Sequence, residues 1–380
     1  MFVEIKVVLQ KITFYFFLFS PFIGLAQEDS ITARQLRKER RAELKEFAKV
    51  ADTSYYISYH SQVTGRIYLS RKSTSLSIQN AAHHEDLNFR PNSSLNLGIG
   101  ATYKWATINI AYGFAFLNFL NPKEELGKTK YLDLQCHLYG RKIIIDGFGQ
   151  FYKGFYLAPR GTATTEDSYY LREDMHVNQI GLSMQYVVNN RRFSYRASFL
   201  QNEWQKKSAG AVLIGFESYI GNVRADSSMI PNRFDTTMAK KNIREFRFYK
   251  TGPNVGCAYT LVYKKHFFVT GSVAGSLGVG NNTIISDEGR AQNFGLSTNI
   301  FLRAFAGYNS EKWAISAIYT SNDVGVNPGT ISTRISLNTS NIRLNVVYRF
   351  PPPKRVKKHL DVMDKTEKYI KEKIDYDQLK

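Results

Sequence analysis

Cysteine is nearly absent from this chain: Cys136 and Cys257 are the only two in 380 residues. Two thiols cannot build a disulfide scaffold or a cysteine-rich zinc centre. Long apolar runs are missing as well. Mean hydropathy is −0.32, and no set of stretches approaches the roughly 20 apolar residues that each spanning helix requires, which excludes a helical membrane bundle. Proline is scarce, at 10 residues, as long paired strands demand. No HExxH, CxxC, EF-hand spacing or Gly-x-Ser-x-Gly elbow occurs. The one histidine cluster, His83-His84 before Glu85-Asp86, points its adjacent side chains to opposite sides of an extended chain. Gly98-x-Gly100 and Gly278-x-Gly280 read as strand glycines that leave room for neighbours, since no helix follows to make a dinucleotide loop. No catalytic, metal-binding or cofactor-binding residue is predicted, and no enzymatic activity is expected.

Aromatic residues are abundant: 26 Phe, 24 Tyr and 3 Trp make up 14% of the chain. Transmembrane barrels place such residues as girdles at both membrane interfaces, and only alternate strand residues need to be apolar. The net charge of +19 would suit nucleic acid, but no recognition helix or zinc motif accompanies it. No nucleic-acid partner is expected; anionic phospholipid head groups and lipopolysaccharide explain the charge instead.

The N-terminus has the form of a secretory signal. Lys6 and Lys11 precede the apolar run Ile12–Phe19, and Gly24-Leu25-Ala26 supplies small residues for cleavage, giving a signal peptide over 1–26. No cysteine follows the junction, so a lipoprotein anchor is excluded. Residues 27–52 mix charge with good helix formers, and Leu36, Leu44, Phe47 and Ala48 make a thin apolar stripe, predicting a charged helical periplasmic arm.

Over 53–350 the pattern turns to period two. Leu95, Leu97, Ile99, Ala101 and Tyr103 alternate with Asn96, Gly98, Gly100 and Thr102. Ile108–Phe116, Ile180–Tyr186, Phe193–Phe199 and Leu344–Phe350 repeat the rule, each with one apolar face and one small or polar face. Cys136 and Cys257 fall on the apolar side and read as small lipid-facing residues, with a bridge between them left open. Lys104-Trp105, Gly140-Arg141, Asn189-Asn190, Lys264-Lys265 and Ser310-Glu311 predict short turns; 80–93, 118–128, 158–174, 281–292 and 322–329 predict long extracellular loops. The long connection from Gly221 to Glu245 breaks the expected alternation of short and long links. The expected fold is all-β, a single antiparallel transmembrane β-barrel of about 12 strands, or 14 if a strand is hidden around Phe246–Gly252, with helical extensions at both ends. Pro351-Pro352-Pro353 stops the last strand, and 351–380 predicts a basic helical tail.

Several segments are distinctive: Gly127–Asp133, Tyr139–Lys142, Phe148–Gly154, Gln201–Lys207, Lys264–Phe268 and Asn341–Phe350. Together they resemble an uncharacterised Bacteroidota family, a domain of unknown function similar to outer-membrane barrels, over roughly Asp52 to Phe350. The resemblance implies an outer-membrane location and a barrel fold, and transfers no site residues. Many outer-membrane barrels end on an aromatic recognised by the outer-membrane assembly machinery; Tyr348-Arg349-Phe350 has that form, so Phe350 is the barrel-terminal aromatic and that machinery an expected partner.

By alternation Asp133, His137, Arg196, Arg343 and Arg349 face the lumen, where such charges line a solvated pore or brace a filled one. Glu203, Trp204, Lys206 and Lys207 are predicted at an extracellular hairpin tip. The function this supports is a non-enzymatic outer-membrane barrel, either a channel or a structural and binding barrel. The alternatives are a lipid- or cell-wall-modifying barrel enzyme and an envelope protein docking a periplasmic partner through its charged tails.

Overall fold

In the computed structural model, positions 38, 41, 42, 45 and 47–352 are described, except 81–84, 105, 114–123, 165–166, 232–241 and 327–332. The signal peptide, most of the predicted N-terminal arm, His83, His84, Trp105 and the C-terminal tail therefore lie outside the described residues. Met1–Glu46 is one unit, of which Lys38, Arg41, Ala42 and Lys45 are helical. Everything below concerns the second unit, Phe47–Lys380.

Residues that alternate between lipid and lumen form strands here because each strand satisfies its backbone only by pairing with two others. The strands are β1 (Tyr56–Ser58), β2 (Val63–Asn80), β3 (Glu85–Arg90), β4 (Asn96–Tyr103), β5 (Ala106–Tyr112), β6 (Lys130–Tyr139), β7 (Ile143–Ala158) and β8 (Tyr170–Val187). They continue with β9 (Glu203–Gln205), β10 (Ala209–Arg224), β11 (Glu245–Tyr263), β12 (Phe267–Ser286), β13 (Gly289–Asn309), β14 (Trp313–Val326) and β15 (Thr333–Phe350). Ten of them close an antiparallel ring in the order β2-β3-β7-β8-β10-β11-β12-β13-β14-β15, and the full-length β15–β2 ladder seals it. Three more, β4, β5 and β6, extend the same sheet. The expected 12 is therefore corrected to a closed ring of 10 with 3 strands grafted on.

The graft is a fork. β2 pairs with β3 near Leu76–Asn80 but with β4 near Thr64–Ser70. β7 likewise pairs with β3 at Tyr156–Ala158 and with β6 at Ile144–Lys153. Arg90-Pro91-Asn92, part of a predicted loop, is where one strand line changes partner. A bulge between Lys153 and Phe155 re-aims β7 at the fork; its Gly154 has φ 90°, and a Cβ there would strike the Lys128 carbonyl, so only glycine fits.

The outer face follows the predicted alternation. Ile180, Leu182, Met184 and Tyr186 are exposed, as are Val255, Tyr259 and Leu261. Both cysteines are free and outward-facing. Trp313 lies opposite Tyr348 with ring centroids 4.5 Å apart, and Phe350 stacks on Tyr348, an aromatic girdle at the end where the chain enters the barrel. Strand glycines admit inward rings: Tyr68 lies over its cross-strand partner Gly98, and Tyr219 over Gly181. Gly98→Val is expected to displace Tyr68 and cost about 1–3 kcal/mol. Gly271→Val, with nothing within 4 Å of its added Cβ, is the control expected to leave the guanidinium midpoint unchanged.

Three further expectations are corrected. Asn189-Asn190 lies in a turn as expected but does not link two barrel strands, and Phe193–Phe199 is not a strand. The chain from 188 to 208 instead folds into the barrel base, with a helix over Tyr195–Phe199 whose N-cap, Ser194 Oγ, accepts from Ala197 N at 3.0 Å. Every residue from Phe193 to Asn202 is buried in a proteinaceous interior, where alternation says nothing about lipid. That false strand shifted the strand parity, which is why Gly221–Glu245 looked anomalous. It is an ordinary link at the far end of the barrel, between β10 and β11. Finally, the predicted loop at 281–292 is mostly strand: β12 and β13 run on to a tight turn, pairing to Ser286↔Gly289.

Candidate functional site: a closed lumen with a braced polar layer

The base is closed by the segment 188–208, here termed the plug. β9 of the plug pairs with β1, and Tyr59 N donates to Asn202 O at 2.9 Å. The plug fastens to the turns around the rim. Asn202 Nδ2 and Arg196 Nη2 donate to Lys104 O at 3.3 and 2.8 Å, and Trp204 Nε1 donates to Lys265 O at 2.7 Å. Arg349 lies buried over the Tyr59 ring, 4.5 Å from its centroid, and donates to Gln201 O, Asn309 Oδ1 and Ser310 O. Phe193, Tyr195, Phe199 and Leu200 pack upward against Tyr139, Ile144, Phe305 and Ile318.

The opposite end is closed by an apolar core. Inward side chains of the long strand ends, among them Leu76, Phe89, Leu157, Val177, Phe246 and Leu337, meet in one cluster. Met229, Ile230 and Ile243 of the β10–β11 link fold into it, held by Met229 N→Ile243 O at 2.8 Å. Arg172 secures the link by donating to Ser228 O at 2.5 Å while pairing with Asp174.

Between the closures lies a polar layer. Asp146 on β7 and Arg303 on β13, halfway round the ring from each other, meet at 2.5 Å, each 1% exposed. Asp146 also accepts from Tyr139 Oη at 2.6 Å and holds His137 Nδ1 at 2.6 Å. Arg303 donates to Tyr195 Oη at 2.9 Å and stacks on Phe301 at 3.7 Å. Glu217 on β10 is reached by Ser276 Oγ and by Asn299 Nδ2, the latter at 2.8 Å. Asn322 Nδ2 donates to Tyr219 Oη at 3.1 Å. These bonds cross the lumen, so they tie opposite walls together. A cavity of about 20 Å³, room for one water, remains beside Gln135, His137, Arg303 and Asn341.

The predicted lumen charges separate on inspection. Asp133 faces inward, pairs with Lys72 at 3.0 Å and accepts from Tyr152 Oη at 3.0 Å. His137 and Arg343 also face inward. Arg196 belongs to the plug, 3.6 Å from Glu203, and Arg349 latches the plug, so neither lines a pore. Glu203, Trp204, Lys206 and Lys207 are corrected outright: they lie in or beside β9 at the base, because the plug returns the chain to the entry end. Asp146, Arg303, Glu217 and Lys250 were missed. Their signal was a charge set between inward aromatics, as in Phe301-x-Arg303-x-Phe305. Among the described residues no group of three or more His, Cys, Asp or Glu side chains is placed to hold a metal. His137 and Asp146 make the Asp/His pair that a hydrolase would need, but beneath the core and against Phe199 rather than at an open rim.

The family whose match covers residues 50–350 is described as a domain of unknown function, DUF4421. The chain belongs to that family. No curated protein matches it. Solved structures similar to it are outer-membrane barrels. The outer membrane protease OmpT from Escherichia coli is 11% identical, covering 77% of this chain and 98% of its own, with a TM-score of 0.36. An outer membrane channel from Pseudomonas putida F1 is 14% identical over 79% and 100%, with a TM-score of 0.30. The translocator domain of the autotransporter NalP from Neisseria meningitidis is 9% identical over 83% and 96%, with a TM-score of 0.31. At these values the likeness is one of barrel outline and assigns no activity to this DUF4421 protein.

Proposed function

We propose that this DUF4421 protein is a closed outer-membrane barrel that binds or scaffolds, and does not conduct. The observation that carries this reading is the filling of both ends, by the plug at the base and by the apolar core with the β10–β11 link above. The outward apolar belt and the Trp313–Tyr348 girdle support a wall seated in a bilayer. Lys142, Arg191, Arg192, Lys207, Lys264, Lys265 and Lys312 are exposed at the base. There they sit beside the anionic phospholipids of the inner leaflet and are free to meet a periplasmic partner. The full chain, refolded and shown to be inserted by protease protection, is expected to give no discrete steps in a planar bilayer. Stable open steps from the wild type would overturn the reading.

A second reading, hydrolysis of a lipid or cell-wall component, has one observation in its favour, the His137–Asp146 pair. It requires a His137→Gln variant to lose hydrolytic turnover of an envelope lipid while keeping its fold.

A further inference from the structure

Outward side chains of neighbouring strands form rows across the wall, and one row near its extracellular end is basic. The ladders set Lys130 of β6 opposite Lys153 of β7, Lys153 opposite His176 of β8, and His176 opposite Arg224 of β10. Glu245 of β11 closes the row opposite Arg224. Lys130, Lys153 and Arg224 are exposed, and His176 lies within electrostatic reach of both Lys153 and Arg224. Residues directly opposite on paired strands share a face, and like charges placed so repel.

The acids of this sector are engaged elsewhere. Glu245 holds Arg247 at 2.6 Å, while Asp174 holds Arg172 at 2.8 Å and accepts from Asp226 N at 2.9 Å. Asp174 and Asp226 bear on His176, and Arg224 on Glu245, at longer range than an ion pair. Among the described residues no carboxylate lies within ion-pair distance of Lys130, Lys153 or Arg224. Toward the membrane midplane the wall changes character in two steps. The next row holds Leu132, Phe151, Asn178 and Asn222, with Asn178 Nδ2 donating to Asn222 Oδ1 at 3.0 Å. The row after it presents Leu134, Ile180, Ile220 and Tyr249, all exposed. Cation, amide and hydrocarbon thus follow one another down the same face, the order in which an anionic amphiphile of the outer leaflet presents phosphate, polar linkage and acyl chain.

We propose that the outer face of β7, β8 and β10, extended by Lys130 of β6, binds a phosphorylated glycolipid of the outer leaflet, of the lipid A type. Its two phosphates lie along the basic row, its sugar against Asn178 and Asn222, and its acyl chains along Ile180 and Ile220. Charge and spacing together select this partner. From Lys130 to Arg224 the row crosses three strand spacings, about 14 Å, too wide for one phosphate and wide enough for two joined through a sugar. Arg224 offers a fork to phosphate oxygens, and the lysines compact point charges. A lipid with one phosphate covers part of the row and leaves the remaining cations facing each other. The inference rests on the membrane-seated reading of the wall, but not on closure of the lumen.

The test uses the full-length protein, refolded in a neutral detergent and titrated with bisphosphorylated lipid A, with fully dephosphorylated lipid A and with phosphatidylglycerol. Native mass spectrometry counts the lipid retained. Saturable retention of one lipid A, at least tenfold tighter than either other lipid, supports the site. Lys153→Gln combined with Arg224→Gln should weaken that retention at least tenfold, and Lys153→Arg with Arg224→Lys should keep most of it. Arg290→Gln, which removes an exposed arginine from the outer face of β13, should change nothing. Lipid A carrying a photoreactive group on an acyl chain should label peptides of β7, β8 and β10 in preference to those of β12, β13 and β14. That labelling uses the wild type, so it decides the matter even if the double variant fails to fold. Equal retention of phosphatidylglycerol would overturn the glycolipid as the partner. Equal retention of the dephosphorylated lipid, no loss in the double variant, or labelling spread evenly round the barrel would overturn the site. Failure to insert into vesicles, read by protease protection, would instead overturn the membrane reading, so the two failures are told apart.

Discussion

Asp146→Ala is expected to cost this barrel about 3–5 kcal/mol of unfolding free energy, the penalty for leaving a buried charge without its partner. Among the described residues Asp146 is the one carboxylate on Arg303, and both are 1% exposed. Without it the guanidinium keeps only Tyr195 Oη, Gln185 Oε1 and the face of Phe301. None of these carries a negative charge. Tyr139 Oη and His137 Nδ1 lose their shared partner in the same step. The double variant Asp146→Ala with Arg303→Met is expected to recover most of the loss, because a flexible apolar side chain fills the space and no charge stays buried. Guanidinium unfolding of the wild type, Asp146→Ala, Arg303→Met and the double variant in lipid vesicles gives the coupling directly. Additive losses, with no recovery in the double variant, would show that the pair does not brace the wall.

The pair also marks the boundary of what the sequence made legible. Lipid imposes one rule on a barrel's outer face, an apolar residue at every second position, so Ile180–Tyr186 and Leu344–Tyr348 were readable without a structure. Nothing imposes a rule on a filled lumen. Its inner face runs from Phe246 and Phe248 through Lys250 and Asn254 to Ala258 within one strand, and carries no period beyond the alternation already used. Asp146 and Arg303 were therefore invisible as a pair, although each sat where alternation put it. The plug misled for a related reason. Phe193, Tyr195, Ala197 and Phe199 alternate with Ser194, Arg196 and Ser198, but both sets are buried against protein, and Ser194 starts a helix. The fork at Arg90-Pro91-Asn92 has no signature at all, since a change of strand partner alters pairing and not residue type.

Arg349 offers the sharpest local perturbation, and Arg349→Ala is expected to unlatch the plug while the wall stays folded. The guanidinium bonds the carbonyls of Gln201 and Ser310 and the Asn309 side chain, and covers the Tyr59 ring. Its removal leaves buried acceptors unsatisfied at about 1–3 kcal/mol each, with two or more affected. The plug is held otherwise by its bonds to the Lys104 and Lys265 carbonyls, by apolar packing on Tyr139, Ile144, Phe305 and Ile318, and by a five-residue helix and the three-residue β1–β9 pair, neither stable alone. The β15–β2 ladder, by contrast, runs from Phe350↔Val63 to Thr333↔Asn80 and does not depend on the Arg349 side chain. Local opening of the plug should become easier by about 3 kcal/mol, read as roughly hundredfold faster amide exchange at Ala197, Leu200 and Tyr59. Exchange along β12 and β13 should be unchanged. An equal loss of protection in plug and wall would mean that the two unfold as one unit, and that Arg349 is a part of the wall rather than the latch of the plug.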